Sequence, residues 1–193
     1  MSPILDSIGS VKAFGWGKIL SSTAFESIAS TTVGAGGASD VTFSSIPSTY
    51  THLQIRTFTR DNGGGTTSAL PIQFNSDTGN NYVIRSLVGN GSSLTAYSGA
   101  VSNSVDYTYH SSDGANSSIF GTSIIDILDY KNTNKYKTVM ILNGVDFNGS
   151  GLCSFGSSLW LNTSAITSIK LFCSSSRNLK QYSQIALYGI KGE

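Results

Sequence analysis

The sequence predicts an all-β protein, an antiparallel β-sandwich carrying an extended N-terminal arm. From about residue 25 onward, short segments rich in Val, Ile, Leu, Phe and Tyr are separated by clusters of Gly, Asn, Asp and Ser, the texture of strands punctuated by turns. Several of these segments alternate apolar and polar residues with period two, which a half-buried strand requires. Helical periodicity is scarce.

Ten strands are expected, at residues 25–32, 40–46, 51–59, 69–74, 82–89, 118–128, 136–143, 152–161, 165–172 and 183–190. Ten strands suffice for two packed sheets. In 51–59, Leu53, Ile55 and Thr57 share one face, and His52, Gln54, Arg56 and Phe58 the other, so one face is dry and one mostly wet. Asp61-Asn62-Gly63-Gly64-Gly65 then reverses the chain, as does Asp77-Thr78-Gly79-Asn80-Asn81 between the fourth and fifth strands. Gly89-Asn90-Gly91 and Asp113-Gly114-Ala115-Asn116 bracket a polar excursion, 92–112, in which Tyr97, Val101, Val105, Tyr107 and Tyr109 are evenly spaced. The spacing predicts a long loop with edge-strand character. In 123–132, Ile124, Ile125, Leu128 and Tyr130 suit a helix or a strand, and the β-branched Ile-Ile-x-Ile-Leu favours the strand. The segment 165–172 alternates Ile166, Ser168, Lys170 and Phe172 with Ala165, Thr167, Ile169 and Leu171 and reads as half buried.

The first 22 residues differ in kind from the sandwich at 23–193. Ile4, Leu5, Ile8, Val11, Phe14 and Trp16 make an apolar, aromatic peptide without strand-length alternation, set off by Ser21-Ser22-Thr23. One reading is an arm that docks onto a partner through Val11, Phe14 and Trp16; the other is a first strand tucked along the sandwich.

Composition narrows the partners. The chain has 193 residues, 39% hydrophobic and only 12% charged, with 12 basic and 11 acidic side chains and a formal net charge of +1. Ser, Thr and Asn replace the missing charge, so no long-range field steers nucleic acid or an anionic membrane, and neither is expected as a partner. No apolar run approaches the roughly 20 residues of a membrane helix, and the start lacks a basic n-region followed by a long apolar stretch, so Sec-type export is not expected. Cys153 and Cys173 are too few for a disulfide framework; free, buried thiols are expected ahead of one bridge.

Catalytic patterns are thin. His52 and His110 stand in no His-x-x-His, His-Glu-x-x-His or Cys-x-x-Cys spacing, so no metal site is expected from spacing. Gly149-Ser150-Gly151 lies in a turn rather than at a nucleophile elbow. Asp126 and Asp129, three apart on a strand, would point to opposite faces and cannot serve as a glycosidase pair. The Asp77 loop has oxygen ligands for a weak calcium site, but turn chemistry explains them at less cost. Gly63-Gly64-Gly65 lacks the Lys and helix of a phosphate loop. No catalytic residue and no cofactor are expected. The Asn-x-Ser/Thr matches at Asn90, Asn116, Asn148 and Asn162 carry little weight where Asn and Ser are so frequent. What remains is a tyrosine-rich surface. Tyr97, Tyr107 and Tyr109 amid Asn and Ser are the ingredients of a sugar-stacking site and equally of a subunit interface.

Particular strings go beyond composition. VTFSSIPSTYTHL at 41–53, FNSDTGNNY at 74–82, YKNTNKYKT at 130–138, WLNTSAITSI at 160–169 and the terminal ALYGIKG at 186–192 together resemble a family of tailed-phage and prophage virion proteins over roughly residues 25–192. GSVKAFGWG at 9–17 is similar to leader peptides on structural proteins of marine and cyanobacterial phages. The resemblance implies a jelly-roll-like sandwich that performs no catalysis and assembles in multiple copies, as a homotrimer, with other virion proteins. Its place would be a tail fibre, an appendage or a decoration of the capsid, docked by the arm after assembly in the reducing host cytoplasm. The alternative is a lectin-like domain that contacts host surface glycans.

Overall fold

The computed structural model describes residues 24–192, and the expected arm, with Val11, Phe14 and Trp16, lies outside the described residues. Among the described residues there are thirteen strands and no helix: β1 (Phe25–Thr32), β2 (Asp40–Phe43), β3 (His52–Thr59), β4 (Thr67–Ala69), β5 (Ile72–Phe74), β6 (Tyr82–Gly89), β7 (Leu94–Ser98), β8 (Tyr109–Ser111), β9 (Gly121–Ile127), β10 (Lys137–Asp146), β11 (Gly151–Trp160), β12 (Ile169–Phe172) and β13 (Gln184–Ile190). They form an eight-stranded sheet, β1-β13-β3-β9-β10-β11-β6-β7, a three-stranded sheet, β2-β12-β5, and a two-stranded ribbon, β4-β8, with antiparallel pairing throughout. The protein is thus an all-β antiparallel sandwich, with its strands divided eight against three and two.

Alternation positions the core. Along β10 every second residue from Lys137 to Val145 is buried, and β3 buries Leu53, Ile55, Thr57 and Thr59 while turning Arg56 and Phe58 to solvent. Ile55, Ile125 and Ile141 lie abreast on β3, β9 and β10. They share one core with Val41, Phe43, Ile72, Phe74, Ile169 and Leu171 of the three-stranded sheet. Burying side chains of this size removes roughly 1.5–3 kcal/mol of apolar exposure each, which is why the small sheet stays docked.

The differences from the expected strands have local causes. The expected strand 69–74 is divided at Leu70-Pro71 between the ribbon and the three-stranded sheet, since Pro71 has no N–H to give to a ladder. The expected strand 165–172 begins only at Ile169. Before it the backbone is held by a side chain: Asn75 Oδ1 accepts from the Thr167 and Ser168 amides at 2.8 and 3.1 Å, and its Nδ2 donates to Ala165 O at 2.7 Å. Ile166 is buried all the same. The window 123–132 is strand as far as Ile127 and then turns, with Asp129 at φ 49°. In the excursion, β7 is a fully exposed edge strand and Val105 is fully buried, pairing with Ile72.

All five strings that carry the resemblance meet one another in the fold. Tyr130 donates its hydroxyl to Pro47 O. Asn75 of the second string binds the fourth as described, and Trp160 Nε1 donates to Asp77 Oδ2 at 2.8 Å. In the terminal string, Tyr188 stacks on Phe25 at 4.8 Å, Lys191 pairs with Glu26, and Gly192 N donates to Thr51 Oγ1 at 2.9 Å. A Cβ at Gly189 would stand 2.3–2.4 Å from the Tyr50 ring, so only glycine lets that ring lie against β13.

Candidate functional site

Three regions of the surface and interior carry recognisable chemistry, and the first is the outer face of the large sheet. Register places Arg56, Ile124, Leu142, Phe155, Leu87 and Ala96 abreast on β3, β9, β10, β11, β6 and β7. From Ile124 to Ala96 this row holds no charge, and Leu142, Phe155 and Leu87 are 55%, 47% and 45% exposed. Five strands abreast span about 19 Å. Leu87, Ala96 and Phe155 line a shallow apolar groove of about 390 Å³. Alternation produces this face automatically, but polar residues usually fill it; here the sequence places aliphatics and Phe instead. Cys153 lies on the same outer face and is exposed, which corrects the expectation that it is buried; Cys173 is buried, and both thiols are free.

The second region is the tyrosine cluster. The structure brings Tyr97, Tyr107 and Tyr109 together: the Tyr97 and Tyr107 rings are 5.2 Å apart, and Tyr109 meets Tyr107 edge-on at 6.0 Å. Tyr107 takes φ 66°, held there by the amide of its own residue donating to Asp106 Oδ1 at 2.8 Å and by its carbonyl accepting from Asn143 Nδ2 at 3.0 Å. Burial, with Tyr107, Tyr97 and Asp106 nearby, pushes the Tyr109 hydroxyl up to about 12. Tyr97 and Tyr109 line a groove of about 690 Å³ together with Asn90, Ser92, Thr95 and Asn116.

The third region lies in the interior, where the core becomes polar toward the β8 end. Arg60, after β3, is 2% exposed and donates to Asn116 O, Ala115 O and Ile119 O at 2.8, 2.8 and 3.0 Å. Its planar fork thereby fixes the 115–119 loop. Next to it, Asp61 Oδ1 accepts from Gly63 N at 2.9 Å, while Oδ2 faces His110 Nε2 at 3.3 Å and Arg177 Nη1 at 3.9 Å. Burial alone would push the Asp61 carboxyl up; contact with His110, Ser112 and the Gly63 amide outweighs it and holds the group well below the usual carboxylate range. Burial and the Asp61 charge push the Cys173 thiol up to about 12, opposed by Arg177. A Cβ at Gly121 would stand 2.7 Å from the His110 Cα, so the glycine is what lets β8 pack this closely over β9.

Sequence reasoning missed this interior cluster because Asp61, His110 and Cys173 are far apart in the chain and stand in polar or turn strings. The Asp77 loop, by contrast, is closed on itself. The Asp77 carboxylate accepts from Gly79 N, Asn81 Nδ2 and Trp160 Nε1 at 2.8–3.1 Å, so turn chemistry uses the oxygens that calcium would need. Asp126 accepts from Gln54 Nε2 at 2.8 Å, and Asp129 pairs with Lys135. Among the described residues, no helix is long and apolar enough to cross a membrane. Comparison of the chain with protein-family models, with curated protein sequences and with solved structures finds no match.

Proposed function

We propose that this chain is a non-enzymatic structural protein of a tailed-phage particle, a jelly-roll-like part assembled there in several copies as a homotrimer. It would serve in a tail fibre or appendage, or on the capsid surface, docked to other virion proteins by its N-terminal arm. The observation that carries the assembly half of this reading is the uncharged row Ile124-Leu142-Phe155-Leu87-Ala96 across the outer face of the large sheet. Leaving Leu142 and Phe155 half in water forfeits on the order of 1 kcal/mol each, and contact with a second copy recovers it. The low charge supports the same reading, because many copies pack together without accumulating repulsion. The phage setting rests on the strings at 41–53, 74–82, 130–138, 160–169 and 186–192. Particles purified from an infected or induced host test it: the full chain is expected at a fixed multiple-copy ratio to the capsid protein, and deletion of residues 1–20 is expected to abolish incorporation. Unchanged incorporation of the deleted chain refutes the docking role, and absence of the chain from the particles refutes the setting.

The groove between Tyr97 and Tyr109 favours a second reading, glycan contact at the host surface, because aromatic faces flanked by Asn, Ser and Thr suit sugar stacking and hydrogen bonding. A glycan array on the purified protein decides it. Binding to a defined glycan that falls at least tenfold in Tyr97→Ala or Tyr109→Ala supports contact; no binding by the wild type removes it.

A further inference from the structure

Asp61, His110 and Cys173 reach one point from three different sheets. Asp61 follows β3 of the large sheet, His110 lies on β8 of the ribbon, and Cys173 follows β12 of the small sheet. All three are buried, and their Oδ2, Nε2 and Sγ atoms lie within 4.8 Å of one another. The Asp61 and His110 side chains are each 1% exposed and face each other as an ion pair at 3.3 Å, yet neither Oδ2 nor Nε2 makes a hydrogen bond of acceptable geometry. Buried polar atoms in folded proteins are normally partnered, so two such atoms aimed at each other and at a thiol call for a shared partner.

We propose that Asp61, His110 and Cys173 bind one divalent cation of the zinc class, and that this ion staples the three sheets together. The donor set selects the class: one carboxylate, one imidazole and one thiolate suit zinc, whereas calcium and magnesium demand oxygen ligands. The 3.3 Å between Oδ2 and Nε2 is the separation of two ligands held at about 2.0–2.1 Å by one tetrahedral ion. Sγ closes to about 2.3 Å from the ion, and a fourth ligand completes the tetrahedron. On binding, the thiol gives its proton to solvent as the metal–sulfur bond forms; nothing is oxidised or reduced. Carboxylate and thiolate then balance the two charges of the ion. Arg177, whose Nη1 lies 3.9 Å from Asp61 Oδ2, is 35% exposed and reaches solvent. The site is internal to one chain and does not depend on the assembly or the phage setting proposed above.

The test uses the full chain carrying Cys153→Ser, so that the buried thiol is the only one. After exhaustive dialysis against a weak chelator, elemental analysis is expected to find one zinc per chain, or the stripped protein to take up one equivalent of zinc chloride with a rise in Tm of several degrees. Replacement with cobalt is expected to give a thiolate-to-cobalt charge-transfer band, and Cys173→Ser to lose that band and weaken zinc binding at least tenfold. Wild-type-like protein that takes up no zinc and gives no band overturns the proposal without recourse to any core variant. Zinc uptake by Cys173→Ser as tight as that of its parent overturns it as well.

Discussion

At the scale of single residues, Asp77, Tyr82 and Trp160 make one linked polar joint at the edge of the core. The Tyr82 hydroxyl accepts from Phe74 N at 3.0 Å and donates to Asp77 O at 3.1 Å, while the Asp77 carboxylate takes the indole N–H of Trp160 at 2.8 Å. Burial alone would raise the Asp77 pKa, but the bonds from Trp160, Asn81 and Gly79 prevail and lower it. Burial, tempered by the Phe74 bond, pushes Tyr82 up to about 12. The signs follow. Asp77, depressed in the folded state, contributes stability that is present above about pH 4, the ordinary aspartate value, and is lost as pH falls through its folded pKa. Tyr82, raised in the folded state, contributes stability that is present below about pH 10 and is lost as pH rises toward its folded value. Urea denaturation across pH is therefore expected to weaken at both ends. In Asp77→Asn the protein should be about 1 kcal/mol less stable at neutral pH, with a shallower decline between pH 5 and 2; an acid limb as steep as the wild type's contradicts the assignment.

At the scale of elements, the terminal strand β13 shows why its sequence reads as it does. Leu187 enters the core, Tyr188 stacks on Phe25 of β1, Gly189 makes room for Tyr50, and Lys191 reaches Glu26. Gly189→Ala is expected to cost about 1–3 kcal/mol, because a packed ring must move. Gly34→Ala, where a Cβ meets nothing within 4 Å, should stay within about 0.5 kcal/mol of wild type. Thermal unfolding of the pair checks this, and equal Tm values contradict it. The same elements show what the sequence made legible. Strand β3 was readable because one face is wholly buried and the other wet, and the 92–112 tyrosines because their spacing had no core explanation. The ribbon β4-β8 was not readable: each strand has three residues, and Pro71 ends the first run without ending its apolar pattern. His110 gave no signal either, since its buried surroundings, Ser68, Ser112 and Asp61, are polar and leave no hydrophobic pattern in the chain.

At the scale of the whole molecule, the sandwich has one face it needs and one it does not. The inner face of the large sheet is covered by the small sheet and the ribbon, while the outer face carries Ile124, Leu142, Phe155 and Leu87 in an unbroken row. For a chain that worked alone, that row would be a solubility cost without return. For a chain assembled in copies, as we propose, it would serve as the interface. The most direct measurement is the mass of the full chain in solution by sedimentation equilibrium, for the wild type and for Leu142→Glu/Phe155→Glu. The wild type is expected as a homotrimer and the variant as a monomer with an unchanged circular-dichroism spectrum; a monomeric wild type, or a trimer indifferent to both glutamates, would contradict assembly through this face.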